Sequence, residues 1–564
     1  MIRAVTAFLL ALLLVGCTDI NTVGPVVEVP LGSEQRGVRI APEPPQPGVT
    51  PVRLVEGFVQ AMAVPEANYS VARQYLTSQA ATQWDPREGG MVYRGSVSQD
   101  DEGRIRVSGT STGDLDADGR FTATGEALNH DFGVVLVDGE WRIGIPPSGV
   151  LVSDYIFERY WSHVTIYFMA SAGDHVVPDL VHVPDTLLTP RRVVEAQIAG
   201  PSTAVAPVVR NAAGAGTRLA KDGASVDTDG TATVALEGLS KSMRDDRRRL
   251  LGAQLLWSLT SIPRVSGLRI TNDGEAFPLP GQNPAGVLEL ASQQGYQLLS
   301  RAATSDLFGV RDGIGGRIGP GDAFLPLTSD DVPVSDLAVS VDGTLVGFID
   351  AARTTVMIGP LGGAMVSAIP GWSNLRSAQF ALGNLWVTGE DAEGYTHLLS
   401  VDPQGKVAEV DVSELTGRIV DFSITQAGAR VAAVVQRAGG TDLIMASLSN
   451  VGEPRLSPVM SLPLMGGTNT RLRDFRSLDF SGETELVVLA EGTGNRSVFR
   501  ARLDGSMVED LGPLPEDAMQ VSALPRPSGD AVVTRSEDGT VLRRDVSGRW
   551  MRMDGLLQEA TFPG

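Results

Sequence analysis

The stretch VDFSITQAGARVAAVVQRAGGTDLIMASL, residues 420–448, decides the fold. Val420–Ile424 alternates apolar and polar side chains, Gly428 interrupts it, and Val431–Val435 and Leu443–Leu448 follow as two further runs rich in branched residues. Such side chains fit a pleated, half-buried surface, and short runs separated by glycine turns read as antiparallel strands. The same order recurs along the chain. Aligning the turn glycines Gly343, Gly383, Gly428, Gly482 and Gly529 places strands such as Leu337–Val341 and Val521–Leu524 before them. Second strands such as Leu345–Phe348, Leu486–Leu489 and Ala531–Thr534 come after them, and third strands such as Thr355–Ile358, Leu398–Val401, Ser497–Leu503 and Val541–Asp545 close the units. The glycines lie 40, 45, 54 and 47 residues apart. That interval holds four strands, the content of one β-propeller blade. Five units stand out and Val287–Ile318 offers a more degenerate sixth, so an all-β propeller of about five or six blades is expected over residues 286–564.

Working outward, residues 160–282 mix the two periodicities. Val164–Phe168 reads as a strand, Thr189–Ala199 as a helix after Pro190, Ser225–Leu236 as a hairpin around Asp229-Gly230, and Ser240–Ser261 as a long helix before a strand at Val265–Ile270. Leu251, Leu255, Leu259 and Ile262 share one face of that helix with Leu256 near it, which predicts packing onto a sheet. Residues 51–150 read as a second α+β unit. Val52, Val55, Phe58, Val59 and Met62 lie at helical spacing, Val71, Tyr75 and Leu76 suggest another helix, and short strands follow at Met91–Tyr93, Arg104–Ser108, Phe121–Gly125, Asp131–Val137 and Trp141–Ile145. The fold class is therefore multidomain, two small α+β domains followed by an all-β propeller.

Residues 17–50 are rich in Pro, Gly and Glu and read as an extended tether. Before them, Met-Ile-Arg and the apolar run Ala4–Leu14 have the form of an export signal over residues 1–16. The run is too short to span a bilayer, which takes about 20 apolar residues. It leads through Leu14-Val15-Gly16 into Cys17, the only cysteine of the chain, in the pattern of a lipobox. Cys17 is thus the expected lipidation site, its diacylglycerol anchoring the protein on the outer face of a bacterial cytoplasmic membrane, since two acyl chains hold durably where one does not. The competing reading is a short uncleaved anchor with an incidental cysteine. One cysteine allows no internal disulfide, so stability outside the cell must come from packed cores. The formal net charge of -21 over 564 residues opposes any general attraction to nucleic acid or anionic headgroups.

Motifs for chemistry fall short. Gly109-Thr-Ser111-Thr-Gly113 matches a nucleophile elbow, but another turn follows where a helix is required. Asp114, Asp116, Asp118 and Gly119 open like an EF-hand loop, yet the twelfth position is Gly125, with Glu126 one residue late, which favours a polar hairpin turn over a weak calcium site. His130, His163, His175, His182 and His397 show no metal-binding spacing. Gly309–Gly321 misses the dinucleotide fingerprint because Ile318 takes the last glycine position. Arg244, Arg247, Arg248 and Arg249 form one basic cluster, read as a solvated or acid-paired face, with docking to an anionic partner as the sharper alternative. No catalytic residue, metal ligand or cofactor is assigned, and an unrecognised acidic site stays open.

Lipobox, proline-rich tether, α+β domain, a unit running from Val164-Thr-Ile-Tyr-Phe168 through Leu-Thr-Pro190 and Ala-Gly-Pro201 to Val-Ser-Gly-Leu-Arg-Ile270, and a terminal propeller, in this order, resemble the LpqB-type lipoproteins of actinobacteria. Within that likeness, Val164–Leu279 resembles a GerMN domain. The resemblance implies no catalytic residues. It implies an accessory role beside the ectodomain of the sensor kinase MtrB, in a two-component system for envelope and division. The other readings are an enzyme on envelope polymers with acidic residues in the propeller channel, and a sensor of wall fragments.

Overall fold

A computed structural model describes residues 42–65, 68–297, 305–327, 332–368, 371–449, 452–467, 469–514, 517–526 and 531–564. The signal, Cys17 and most of the tether fall outside them, as does the turn glycine Gly529. Among the described residues no helix is long and apolar enough to cross a membrane.

The first domain builds on α1 (Pro51–Met62), which Thr50 and a proline at the first helical position start. Leu54, Val55, Phe58 and Met62 are buried from it against a sheet ordered β3-β2-β1-β7. Its strands are β1 (Gly90–Gln99), β2 (Ile105–Leu115), β3 (Phe121–Ala123) and β7 (Val150–Ser153), with β4 (Ala127–Asp131) also on β2 and β5 (Val134–Val137) paired to β6 (Glu140–Ile143). The single strand expected at Asp131–Val137 is thus two, because Gly133 turns the chain at φ +53°. The expected helix around Val71 and Tyr75 is one turn, Ser70–Arg73, and Leu76 instead bridges to Ile143. The end of the expected tether is seated on this domain: Tyr75 Oη donates to Glu43 O at 2.7 Å, and Gly48 N to Glu140 Oε2 at 3.1 Å.

The second domain has two sheets, one of β8 (Trp161–Ala170), β9 (Val176–Pro184) and β10 (Val209–Arg210). The other runs β11 (Arg218–Val226), β12 (Thr231–Glu237), β13 (Gly267–Asn272) and β14 (Glu275–Ala276), with β15 (Leu288–Glu289) also on β13. The long helix (Asp245–Leu259) contacts strands of both sheets. It buries more than the predicted stripe: from Leu251 to Leu259 every residue is buried, including Gln254 and Ser258, whose polar atoms bond Asn211, Ala212 and Tyr167.

The propeller has six four-stranded blades. Blades 2 to 6 are consecutive meanders starting at Val334, Ser373, Arg418, Arg473 and Ala518. Blade 1 takes Leu307–Arg311, Ile314–Ile318 and Phe324–Pro326, and its innermost strand is Glu559–Thr561 from the far end of the chain. The sixth unit expected at Val287–Ile318 is therefore only partly right. Leu288 pairs with Leu268 in the second domain, and the blade begins at Leu307.

Candidate functional site

The innermost strands of a propeller have one paired edge and one edge on the axis, where backbone N–H groups need partners. Here each strand lends polar side chains to the next. Gln379 Oε1 accepts from Ile424 N at 2.7 Å, and Asp421 Oδ2 from Leu478 N at 3.1 Å. Asp479 Oδ2 accepts from Ala523 N and Ser522 Oγ, both at 2.9 Å, and Ser522 Oγ from Phe562 N at 3.0 Å. Polar channel residues thus serve as a ladder between blades 3, 4, 5, 6 and 1, with Asp421 and Asp479 as its acidic rungs from blade 4 to 5 and 5 to 6. Burial drives the Asp421 and Asp479 carboxyls up to about 6, with the donated hydrogen bonds pulling the other way. Glu559, which accepts from Gln520, is pushed up to about 8 by burial and then by the Asp336 carboxylate.

Above this ladder the channel widens into a cup of about 590 Å3. A second, much smaller space of about 10 Å3, lined by Gln426, Gly482 and Pro525, shares Gln379 and Asp479 with the cup. Five guanidinium groups from blades 2 to 6 line the cup: Arg353, Arg376, Arg418, Arg476 and Arg535. Arg418 and Arg476 stand three residues before Asp421 and Asp479 on their strands, about 10 Å nearer the mouth. Their side chains are 48% and 30% exposed, and that of Arg353 is 39% exposed, so these cations stand nearer the mouth than Asp421 and Asp479, and the half-exposed Asp474 shares the rim with them.

The opposite face meets the chain's own second domain at turns of blades 4 and 5: His175 Nε2 bonds Ala427 O at 2.8 Å, His182 Nε2 bonds Asp504 Oδ2 at 2.7 Å, and Arg502 Nη2 bonds His163 Nδ1 at 2.9 Å. Arg430 donates to Pro178 O at 2.6 Å and pairs with Asp179 at 3.5 Å, both side chains being under a tenth exposed. Asp179 also accepts from Ser202 N at 2.7 Å and Ser202 Oγ at 2.8 Å. Domain one joins along the flank, where Arg94 donates to Gly466 O and Asn469 Nδ2 donates to Thr110 Oγ1 at 3.1 Å. A cavity of about 400 Å3 lies where the three domains meet, with Asp118, Asp179, Met445 and Asp504 among its walls.

The sequence motifs fall into this frame. Ser111 is buried in domain one, where Thr124 Oγ1 donates to it at 3.1 Å and its own Oγ faces the Val92 carbonyl at 3.5 Å. The Asp114–Gly119 segment forms a hairpin turn: Asp116 Oδ1 accepts from Asp118 N at 2.9 Å and Arg120 N at 2.8 Å, and Gly119 O accepts from His182 N at 2.7 Å. The turn is a joint between domains. Three of the five histidines, His163, His175 and His182, sit at the underside contact, a grouping without any signal in their spacing. His397 is held between Asp391 and Glu409 on blade 3, and His130 bonds Ile145 O. Arg244 pairs with Asp246 at 2.6 Å, and Arg248 lies over the Phe277 ring at 4.5 Å. Among the described residues no group of three or more His, Cys, Asp or Glu is placed to hold a metal ion. The cup arginines went unremarked because they come from five blades across 183 residues, from Arg353 to Arg535.

Three family models match the chain. Residues 44–158 match the N-terminal domain of lipoprotein LpqB, residues 165–277 the sporulation and spore germination domain, and residues 325–563 the lipoprotein LpqB beta-propeller domain. Lipoprotein LpqB of Cutibacterium acnes is 29% identical, covering 96% of this chain and 96% of that protein. Lipoprotein LpqB of Streptomyces avermitilis is 26% identical over 98% and 96% of the two chains. The crystal structure of TolB from Acinetobacter baumannii aligns with 49% of this chain and 70% of its own at 16% identity and a TM-score of 0.36.

Proposed function

Because the chain belongs to the LpqB lipoprotein family, we propose that it is a lipid-anchored accessory protein of the extracytoplasmic face, modulating a sensor kinase of the MtrB kind in envelope and division control. Diacylglycerol on Cys17 holds it to the membrane, and the propeller receives the kinase ectodomain. The observation that carries this reading is the division of labour between the propeller's faces: the underside meets the protein's own second domain, while the hydrogen bonds described for the cup lining stay within the propeller. An open, loop-built face on a tethered stack suits docking. The hydrolase reading draws on the channel carboxyls, and the bonds that Asp421 and Asp479 accept from backbone N–H groups argue against it.

Crosslinking in the native membrane tests the proposal. Capture of a sensor kinase ectodomain, lost when residues 286–564 are deleted while the remainder still reaches the membrane, is the expected outcome. Turnover of a wall-derived substrate by the purified protein alone, abolished by removing single channel carboxyls, would sink it. Replacement of Cys17 by Ala should leave the protein unacylated, and either uncleaved or released, by mass spectrometry and fractionation.

A further inference from the structure

We propose that the cup is a binding site for an extended acidic peptide segment, whose carboxylates pair with the rim guanidiniums Arg353, Arg418 and Arg476. The choice of a protein segment rests on the docking reading above. The cup itself stands on its own geometry.

In a chain of net charge -21, five guanidiniums from five successive blades gather positive charge at one opening. The lining also carries Asp336, Asp421, Asp474, Asp479 and Glu559, so the count of charges alone is even. Position sets the arginines apart from Asp421, Asp479 and Glu559, whereas Asp336 pairs with Arg353 at 3.3 Å and the half-exposed Asp474 is held by Arg496. Asp421 and Asp479 lie deeper and accept from the backbone and hydroxyl groups of neighbouring blades, and Glu559 accepts from Gln520. Arg353 thus has Asp336, while the other two rim arginines reach solvent with loose or shared partners. Arg418 has only the 3.8 Å contact with Glu390 among its described ion pairs, and Arg376 holds the same carboxylate. Arg476 meets Asp517 at 3.3 Å, and Arg496 holds that carboxylate as well, at 2.5 Å. Arg376 Nε is buried without a hydrogen-bond partner. Guanidinium donors in a planar fork match carboxylates in pairs, so a segment bearing several Asp or Glu side chains can complete them at once. The open volume of about 590 Å3 admits a few residues of extended chain.

The test uses the purified full chain and a fluorescent hexaglutamate peptide, with hexalysine and an oligomeric uronic acid as comparators. Hexaglutamate should bind with one-to-one stoichiometry, weaken as salt rises, and lose at least tenfold in affinity in the double variant Arg418→Glu with Arg476→Glu. That variant should keep the parent's Tm, and Arg244→Glu on the second domain should bind like the parent. No saturable hexaglutamate binding, equal binding by the double variant, or a stronger preference for the uronic oligomer overturns the proposal. Kinase capture is read separately: peptide binding without capture leaves the cup assignment standing and removes the kinase reading, and capture that survives the double variant removes the cup as its route.

Discussion

Glu559 is pushed further in the same direction as the ladder carboxyls beside it. Burial and Asp336 raise it to about 8, Asp421 adds to the rise, and Arg535 and Gln520 oppose it. A carboxyl raised above its unfolded value of about 4.3 favours the fold while protonated. Its contribution is complete below about pH 4.3 and is lost as pH rises through about 8. Urea unfolding at pH 6 and pH 9 should therefore show a smaller alkaline loss for Glu559→Gln than for the parent. An unchanged pH slope would contradict the placement of that carboxyl. Gly119 is constrained by contact. Its φ is +87°, and a Cβ there would lie 2.3 Å from the carbonyl oxygen of His182 in the neighbouring domain. Gly119→Ala should cost about 2 kcal/mol or more and speed proteolysis between the first two domains.

At the scale of elements, the Asp114–Gly119 turn shows how a near-miss motif is spent. Asp116 is committed to two N–H groups of its own turn and Asp118 meets Arg120 at 3.2 Å, so millimolar calcium should leave the thermal melt unmoved. A large calcium-dependent rise that disappears in Asp116→Ala would show otherwise. The blades were legible in sequence because each strand pair is local and its turn carries small or polar residues: Leu345–Phe348 and Val431–Val435 fall inside observed strands. Strand β9 was missed since Pro178 and Pro184 interrupt its apolar run. It is tolerated because β9 pairs with β8 alone in its sheet, leaving an edge where the missing N–H costs no ladder bond. The pairing of Glu559–Thr561 with Phe308–Val310 spans the whole propeller sequence, and no local pattern announces it. Deleting residues 557–564 should open the ring, lower the melting temperature and broaden the transition.

The whole molecule depends on a few buried charges at its joints. Arg430 and Asp179 meet across the boundary between propeller and second domain, and burial depresses the Arg430 pKa while Asp179 offsets it. Asp179→Ala strands that guanidinium away from water, with an expected cost of about 3–5 kcal/mol. Calorimetry should then show the propeller and the second domain melting apart, whereas a single transition shifted by less than a degree would deny the joint its role. The layer order of two α+β domains and a propeller was readable from periodicity. The joints and the cup were unreadable, because Arg430 and Asp179 stand 251 positions apart and neither lies in a motif.

The closing strand of blade 1 also sets an order in time. Chains emerge from synthesis amino end first, and domains generally fold as units in that order. The two α+β domains and blades 2 to 6 are therefore complete before residues 559–561 arrive to tie the first blade to the last. Until then the first blade lacks its innermost strand and the ring is unclosed. A chain cut short before this point displays the earlier domains yet never assembles the opening, so completeness of synthesis is checked by geometry before the face can be used.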